Sequence, residues 1–277
     1  MRDLIFGVWS RPRRAIADTF VAFSVLWTLT EGLGYFVPCI QFKGVIPLGI
    51  LIAISLGYAL KAAWRPSRVE IRIAYTNTVL EVLFGDLFVQ PGIRAFAVNE
   101  FFDSQLGAPV SEKSIHGTFL KRFFGGHPES FDKQIDAELK DNRFELVERA
   151  EGKTKRFALG STALITVDQD KYIAFALAKT DPKTCKACSD VTLMWLALNH
   201  LWQRARIETG GNPLNLPLVG SGLSGIGLPT RDLLNLLILS AITETKAKTI
   251  TTRIRFVLSR DRYDELDLRE IKEHWET

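Results

Sequence analysis

Leu218-Val219-Gly220-Ser221-Gly222-Leu223-Ser224-Gly225-Ile226-Gly227-Leu228-Pro229-Thr230 reads as the end of a strand, a loop carrying four glycines and the start of a helix. Glycine lets a backbone come close to a phosphate, and the amides of such a loop and of the following helix start point at it. This is the layout of a diphosphate cradle at the carboxyl end of a strand, where open α/β sheets bind their ligands. No Gly-Lys-Ser/Thr follows, so it is not a Walker loop, and it does not read as a Rossmann site. A glycine-rich turn that serves packing alone is the competing reading.

Outward from this loop, short apolar runs alternate with helical stretches. Val69 to Ile73 and Val79 to Phe84 read as strands, Gly85-Asp86 ends the second, and Ala95 to Val98 is a short buried strand that stops at Asn99. Ser114 to Phe124 and Ser130 to Lys140 read as helices. Phe157 to Val167 and Tyr172 to Lys179 read as strands around the polar turn Asp168-Gln169-Asp170. A long amphipathic helix follows from Asp190 to Arg206, with Trp195, Leu198 and Trp202 on a shared side. Leu216 to Val219 is a strand, Thr230 to Thr243 a helix, Thr251 to Leu258 a strand and Asp264 to Trp275 a closing helix. Strands alternating with helices predict an α/β sheet covered on both faces.

Residues 1–68 are different. One apolar stretch runs from Ala15 to Val37 and a second, without charge, from Gly44 to Leu60. Each is near the ~20 residues that cross ~30 Å of hydrocarbon. They predict a hairpin of two transmembrane helices, over about 15–37 and 44–62, ahead of a domain over 69–277. Arg2, Arg11, Arg13 and Arg14 precede the first span and Lys61, Arg65 and Arg68 follow the second, with Lys43 between them. By the positive-inside rule the N-terminus and the C-terminal domain face the cytoplasm, across the inner (plasma) membrane. Glu31, among Thr28, Thr30, Gly32 and Gly34, is an ionisable group in a span; it serves either helix contact and function or simply reaches the outer headgroups.

The chain has 35 Lys and Arg against 31 Asp and Glu, a net +4, and much of that excess flanks the spans, so no nucleic-acid partner is required. Cys39, Cys185 and Cys188 cannot make a disulfide framework. The Cys185-x-x-Cys188 pair has no second pair to complete a zinc site, and a loop that happens to hold two cysteines is the simpler reading, so no metal is expected.

Four segments, taken in order, resemble a macro domain, the ADP-ribose-binding α/β/α module. Val82-Leu83-Phe84-Gly85-Asp86-Leu87 is similar to its strand ending in Gly-Asp-Ile, and Ala95-Phe96-Ala97-Val98-Asn99 to its Ala-x-Val-Asn strand. Ser114-Ile115-His116-Gly117 stands where its first phosphate loop should be, and Gly220 to Pro229 resembles its second. The resemblance implies a three-layer α/β/α domain with a mixed sheet. It also implies that Asp86 accepts a hydrogen bond from the adenine amino group beside Leu87, and that Asn99 sits by the distal ribose. Ser114, Ile115, His116 and Gly117, together with Gly220, Ser221, Gly222, Leu223, Ser224, Gly225, Ile226 and Gly227, would hold the two phosphates, with hydroxyl contacts from Thr118 and Ser221.

The family's hydrolases show Val-Asn-Ala-Ala-Asn and Gly-Gly-Gly-Val, where this chain has Asn99-Glu100-Phe101-Phe102-Asp103 and Ser114-Ile115-His116-Gly117. The usual water-positioning residues are missing, so binding without turnover is expected and no catalytic residue is assigned. His116 is expected at the helix start, bonded to a phosphate or to backbone.

Two spans joined to a divergent macro domain look like the membrane-anchored effector of a Thoeris-type anti-phage system. That resemblance implies an ADP-ribose-derived signal made by a TIR-domain partner, a histidine conjugate of ADP-ribose in this branch, and a homo-oligomer that disrupts the bilayer in abortive infection. It needs no cofactor. The alternatives are a membrane-tethered ADP-ribosyl hydrolase or phosphoesterase, for which Glu100, Asp103 and His116 are the nearby acid–base candidates, and a scaffold that has lost its ligand. The extra residues between Phe102 and Ser114 and those from Phe123 to Lys155 are expected to shape a pocket or a subunit interface.

Overall fold

The computed structural model describes residues 12–37, 42, 44–222 and 225–276. Arg2, Arg11, Pro38, Cys39, Lys43 and, within the glycine loop, Leu223 and Ser224 lie outside the described residues. The chain divides into two compact units, one of residues 1–67 with 267–269 and one of residues 68–266 with 270–277.

In the first unit, α1 (Pro12–Phe36) and α2 (Val45–Ala63) are both long and apolar enough to cross a membrane. Leu51, Ser55 and Ala59, four residues apart, form the buried face of α2. The small side chains of Ser55 and Ala59 let a second helix approach closely, and the Ser55 hydroxyl is satisfied by the Leu51 carbonyl at 2.7 Å. Glu31 stands exposed on α1, as do Ser24 and Thr28, whose hydroxyls donate to carbonyls one turn back.

The second unit is built on one mixed sheet of eight strands: β1 (Arg68–Arg72), β2 (Val79–Phe84), β3 (Ile93–Asn99), β6 (Thr162–Val167), β7 (Asp170–Thr180), β8 (Ala187–Cys188), β9 (Leu214–Pro217) and β10 (Arg253–Leu258). Their order is β1-β2-β10-β9-β3-β7-β6, with β8 added to β7. The central run from β2 to β7 is parallel, while β1 and β6 pair antiparallel at its flanks. Parallel strands are buried on both faces and so are apolar throughout. Ile173 to Ala178 of β7 are accordingly all buried. The carboxyl ends of β2, β10, β9, β3 and β7 share one edge of the sheet.

One face packs on α5 (Val191–Glu208) and α6 (Thr230–Ala247). Asp190 caps α5 by accepting from Leu193 N at 2.8 Å, and Met194, Ala197, Leu198, Leu201 and Trp202 are buried, whereas Trp195 lies at the flank of that stripe. Over the other face lie α3 (Ile115–Phe124) and α4 (Glu129–Glu138) around an aromatic cluster of Phe88, Phe96, Phe119, Phe131 and Tyr172. A short α7 (Leu268–Trp275) closes the chain, beginning four residues later than the predicted helix because residues 260–264 form a 3-10 turn.

The predicted strand from Phe157 to Val167 is two strands, β5 (Lys155–Phe157) and β6, broken at residues 158–161. Gly160 turns the chain at φ +85°, and a Cβ there would fall 2.4 Å from His200 Nδ1. β5 pairs with β4 (Phe144–Leu146) in a small hairpin over residues 144–157, at the end of the 123–155 segment. That hairpin was not legible in the sequence.

Candidate functional site

Three loops leave the carboxyl ends of neighbouring strands. After β2, Gly85 donates its amide to Leu258 O of β10 at 2.8 Å, and Asp86 begins a 3-10 turn over Leu87–Val89. Asp86 Oδ1 accepts from Phe88 N at 2.8 Å, while Oδ2 accepts from Arg122 Nη1 of α3 at 2.7 Å. Both side chains of that pair are roughly half exposed, and the Arg122 guanidinium lies over the Phe88 and Phe123 rings. Leu87 turns inward and is buried.

After β9 comes the glycine loop. Gly220 adopts φ +82°, open to glycine and disfavoured for other residues, and a Cβ there would meet Ile226 Cδ1 at 2.5 Å. Ile226 N donates back to Gly220 O at 3.1 Å and Gly225 N to Gly222 O at 3.0 Å, so the described residues 220–222 and 225–226 are tied to one another. The Ser221 hydroxyl is already spent on Leu218 O at 2.9 Å. The loop runs through Gly227 into α6, an 18-residue helix whose positive end faces it.

After β10, Arg262, a residue the sequence reading missed, reaches back to the glycine loop and the start of α6. Its Nη1 donates to Thr230 Oγ1 at 2.6 Å and to Glu265 Oε2 at 3.0 Å, and its Nη2 to Ser221 O at 3.4 Å. Arg122 was missed as well. Arg122 lies 36 residues from Asp86 and Arg262 lies 32 from Thr230, and an arginine on an exposed helix or turn carries no local signal.

Asn99 ends β3 at an irregularity between Val98 and Asn99. Its amide is not open: Nδ2 donates to Asp103 Oδ2 at 2.8 Å and Oδ1 accepts from Asp103 N at 3.1 Å. Asp103 in turn pairs with Arg149 Nη1 at 2.9 Å, both side chains being fully buried, and accepts from Lys153 N at 2.7 Å. The Arg149 guanidinium lies 3.9 Å from the centre of the Phe101 ring. The 144–157 segment is thus locked onto the end of β3. Beside this junction is a cavity of about 480 Å³ lined by Asp103, Ser104, Leu106, Pro128, Asp132 and Lys153.

The expected first phosphate loop is a helix cap. Ser114 Oγ accepts from Gly117 N at 2.9 Å and donates to Ser111 O at 2.7 Å, and the Thr118 hydroxyl donates to Ser114 O. Gly117 is needed for packing, since a Cβ there would sit 2.2 Å from Ser111 O. Its amide and both hydroxyls are therefore engaged within the protein. Ile115, at the first helical position, is 40% exposed.

His116 is the clear correction. It turns into the core between the Phe96 and Phe131 rings, at 5.7 and 5.6 Å. Nε2 is buried without a hydrogen-bond partner. Burial first, with the nearby Lys153 charge adding to it, pushes its pKa down to about 3. Glu100 is buried, accepts from Thr180 N at 3.3 Å, and has its pKa raised by that burial. Among the described residues, no group of three His, Cys, Asp or Glu side chains could hold a metal ion. Cys185 and Cys188 are free thiols.

The family model described as "Thoeris protein ThsA, Macro domain" matches residues 80–259, more than half of the 277-residue chain. The chain belongs to this family. Its macro domain is also similar to solved structures of the Oceanobacillus iheyensis macrodomain. One with MES bound is 11% identical, covers 75% of this chain and 98% of its own, and gives a TM-score of 0.52. One with ADP is 12% identical, covers 75% and 97%, with a TM-score of 0.52. A glycine-to-valine variant with ADPR is 14% identical over 74% and 99%, again at 0.52. At such identities the likeness establishes the macro fold, mixed sheet included. No curated protein matches the chain.

Proposed function

We propose that the macro domain is the receptor for an ADP-ribose-derived nucleotide made by a TIR-domain partner, most simply a histidine conjugate of ADP-ribose, and that it binds this signal without turnover. The observation that carries the reading is the backbone of Gly220–Gly222 bonded to Gly225 and Ile226 between a parallel strand and the positive end of an 18-residue helix, with Asp86 on the same edge of the sheet. Membership of the ThsA macro family and the fold shared with macrodomains solved with ADP and ADPR support it. The cavity beside Asp103 and Lys153 offers room for a group beyond ADP-ribose. Binding without turnover is supported by the state of the acid–base candidates: His116 lies among aromatic rings, Asp103 is neutralised by Arg149 and Glu100 is buried against Thr180 N.

In this reading α1 and α2 cross the inner membrane with the macro domain on the cytoplasmic side. Ligand binding assembles several copies, and the assembled spans disrupt the bilayer and end the infection with the cell. The ligand must bind the assembled state better than the resting one, because equal affinity shifts no equilibrium. The test is titration of the full-length protein, reconstituted in dye-loaded anionic vesicles, with ADP-ribose and its histidine conjugate, followed by analysis of the recovered ligand. Binding of intact ligand with dye release supports the receptor. Ligand breakdown replaces it with a hydrolase, and binding without any dye release removes the membrane step.

A further inference from the structure

We infer that Arg262 is the cation that binds the diphosphate at this site, held ready by Glu265. The inference rests on reading Gly220–Gly227 as a phosphate loop and adds the charged side chain that a backbone cradle lacks. Amides and a helix terminus contribute only partial positive charges, whereas a diphosphate brings a full negative charge on each phosphate.

Arg262 is placed where it can meet that charge. It leaves the 3-10 turn that follows β10 and touches the loop at Ser221 O, the first residue of α6 at Thr230 Oγ1 and the carboxylate of Glu265. A guanidinium presents its donors as a planar fork that matches two phosphate oxygens. Its present acceptors use that fork poorly. The Ser221 contact is long at 3.4 Å, Thr230 is a neutral hydroxyl, and the Glu265 carboxylate is half exposed and three residues along the chain. Such a solvent-screened pair contributes little, so exchanging Glu265 for a phosphate oxygen on the same edge is favourable. Glu265 also accepts from the Thr230 hydroxyl, which ties the resting pose of Arg262 to the start of α6. Glu265 therefore acts as a placeholder anion: it keeps the guanidinium aimed at the loop and gives it up when a stronger anion arrives.

The rival role for the same contacts is a brace that merely holds the loop against α6, and the two roles give opposite signs in one variant. The test titrates the full-length protein in detergent with ADP and ADP-ribose at two salt concentrations, as wild type, Arg262→Gln, Arg262→Lys and Glu265→Gln. A phosphate-binding arginine predicts that R262Q weakens both ligands by roughly ten- to a hundredfold, the range for losing a charge-assisted hydrogen bond. R262K should fall between, because an ammonium keeps the charge and loses the fork. R262Q should also bind with less sensitivity to salt, and E265Q should bind ADP-ribose about threefold or more tighter, as expected when a competing anion is removed. Unchanged affinity or unchanged salt sensitivity in R262Q overturns the proposal. So does weaker binding in E265Q, which is the signature of a brace. If the wild type binds neither nucleotide, the phosphate-loop reading fails first and takes this one with it; that failure is seen without any variant.

Discussion

Arg122 Nη1 lies 2.7 Å from Asp86 Oδ2, so the carboxylate expected to receive the adenine amino group is shared with a cation from α3. The other oxygen caps Phe88 N. Asp86 thus has one oxygen committed to the fold and one that a base can reach only beside Arg122. Asp86→Ala is expected to lower ADP-ribose affinity at least about tenfold, as for loss of a hydrogen bond to a charged group. Its stability cost should be near the ~1 kcal/mol of a lost cap. Titration and a thermal melt on the same preparation separate the two effects; unchanged affinity removes Asp86 from the site.

Gly220→Ala tests the loop itself. The new Cβ meets Ile226 Cδ1 at 2.5 Å and the residue is held at φ +82°, a conformation that costs a non-glycine residue about 1–2 kcal/mol. The sheet does not depend on it, so the protein should fold with its usual circular dichroism and lose nucleotide binding. Retained binding at wild-type affinity would show that the loop does not touch the ligand.

His116 makes stability fall with acid. Folded, it stays neutral down to about pH 3, while in the unfolded chain it takes a proton near its ordinary value of 6.5. Its contribution is therefore intact above pH 6.5 and is lost as the pH falls from there toward 3, at up to about 1.4 kcal/mol per pH unit. His116→Phe should flatten the loss of melting temperature between pH 6.5 and 4.5 relative to wild type. Parallel pH profiles for the two proteins would exclude this assignment.

Arg149→Met leaves Asp103 buried with no countercharge, which should cost about 3–5 kcal/mol. Replacing both partners, Asp103→Leu with Arg149→Met, should recover part of that loss, because the desolvation of two charges is also removed. Urea unfolding of the wild type, Arg149→Met, Asp103→Leu and the double variant measures it. A double variant that loses as much as the two singles combined would contradict the pair's role.

Most elements were legible because local rules governed them. Val79–Phe84 is an apolar run interrupted only by Glu81 and became a buried parallel strand; Ser114 before an amphipathic stretch became a helix cap. The glycine loop was readable because only glycine meets its backbone demands at Gly220. What escaped was set at a distance. His116 follows a cap residue and looked like a ligand of the helix start, yet its direction is decided by Phe96 and Phe131, which lie on other elements. Asn99 looked open at a strand end until Arg149, fifty residues on, drew Asp103 across it. Arg262 and Arg122 belong to the same class.

The place of β10 in the sheet has a consequence for the order in which the protein is made. This strand, Arg253–Leu258, sits between β2 and β9, so the sheet stays in two halves until Leu258 has left the ribosome. Both apolar helices precede every strand of the sheet, and β10 follows every other strand. During synthesis, then, α1 and α2 exist for a time with no folded macro domain after them, and what they pack against in that interval is decided by the helices alone.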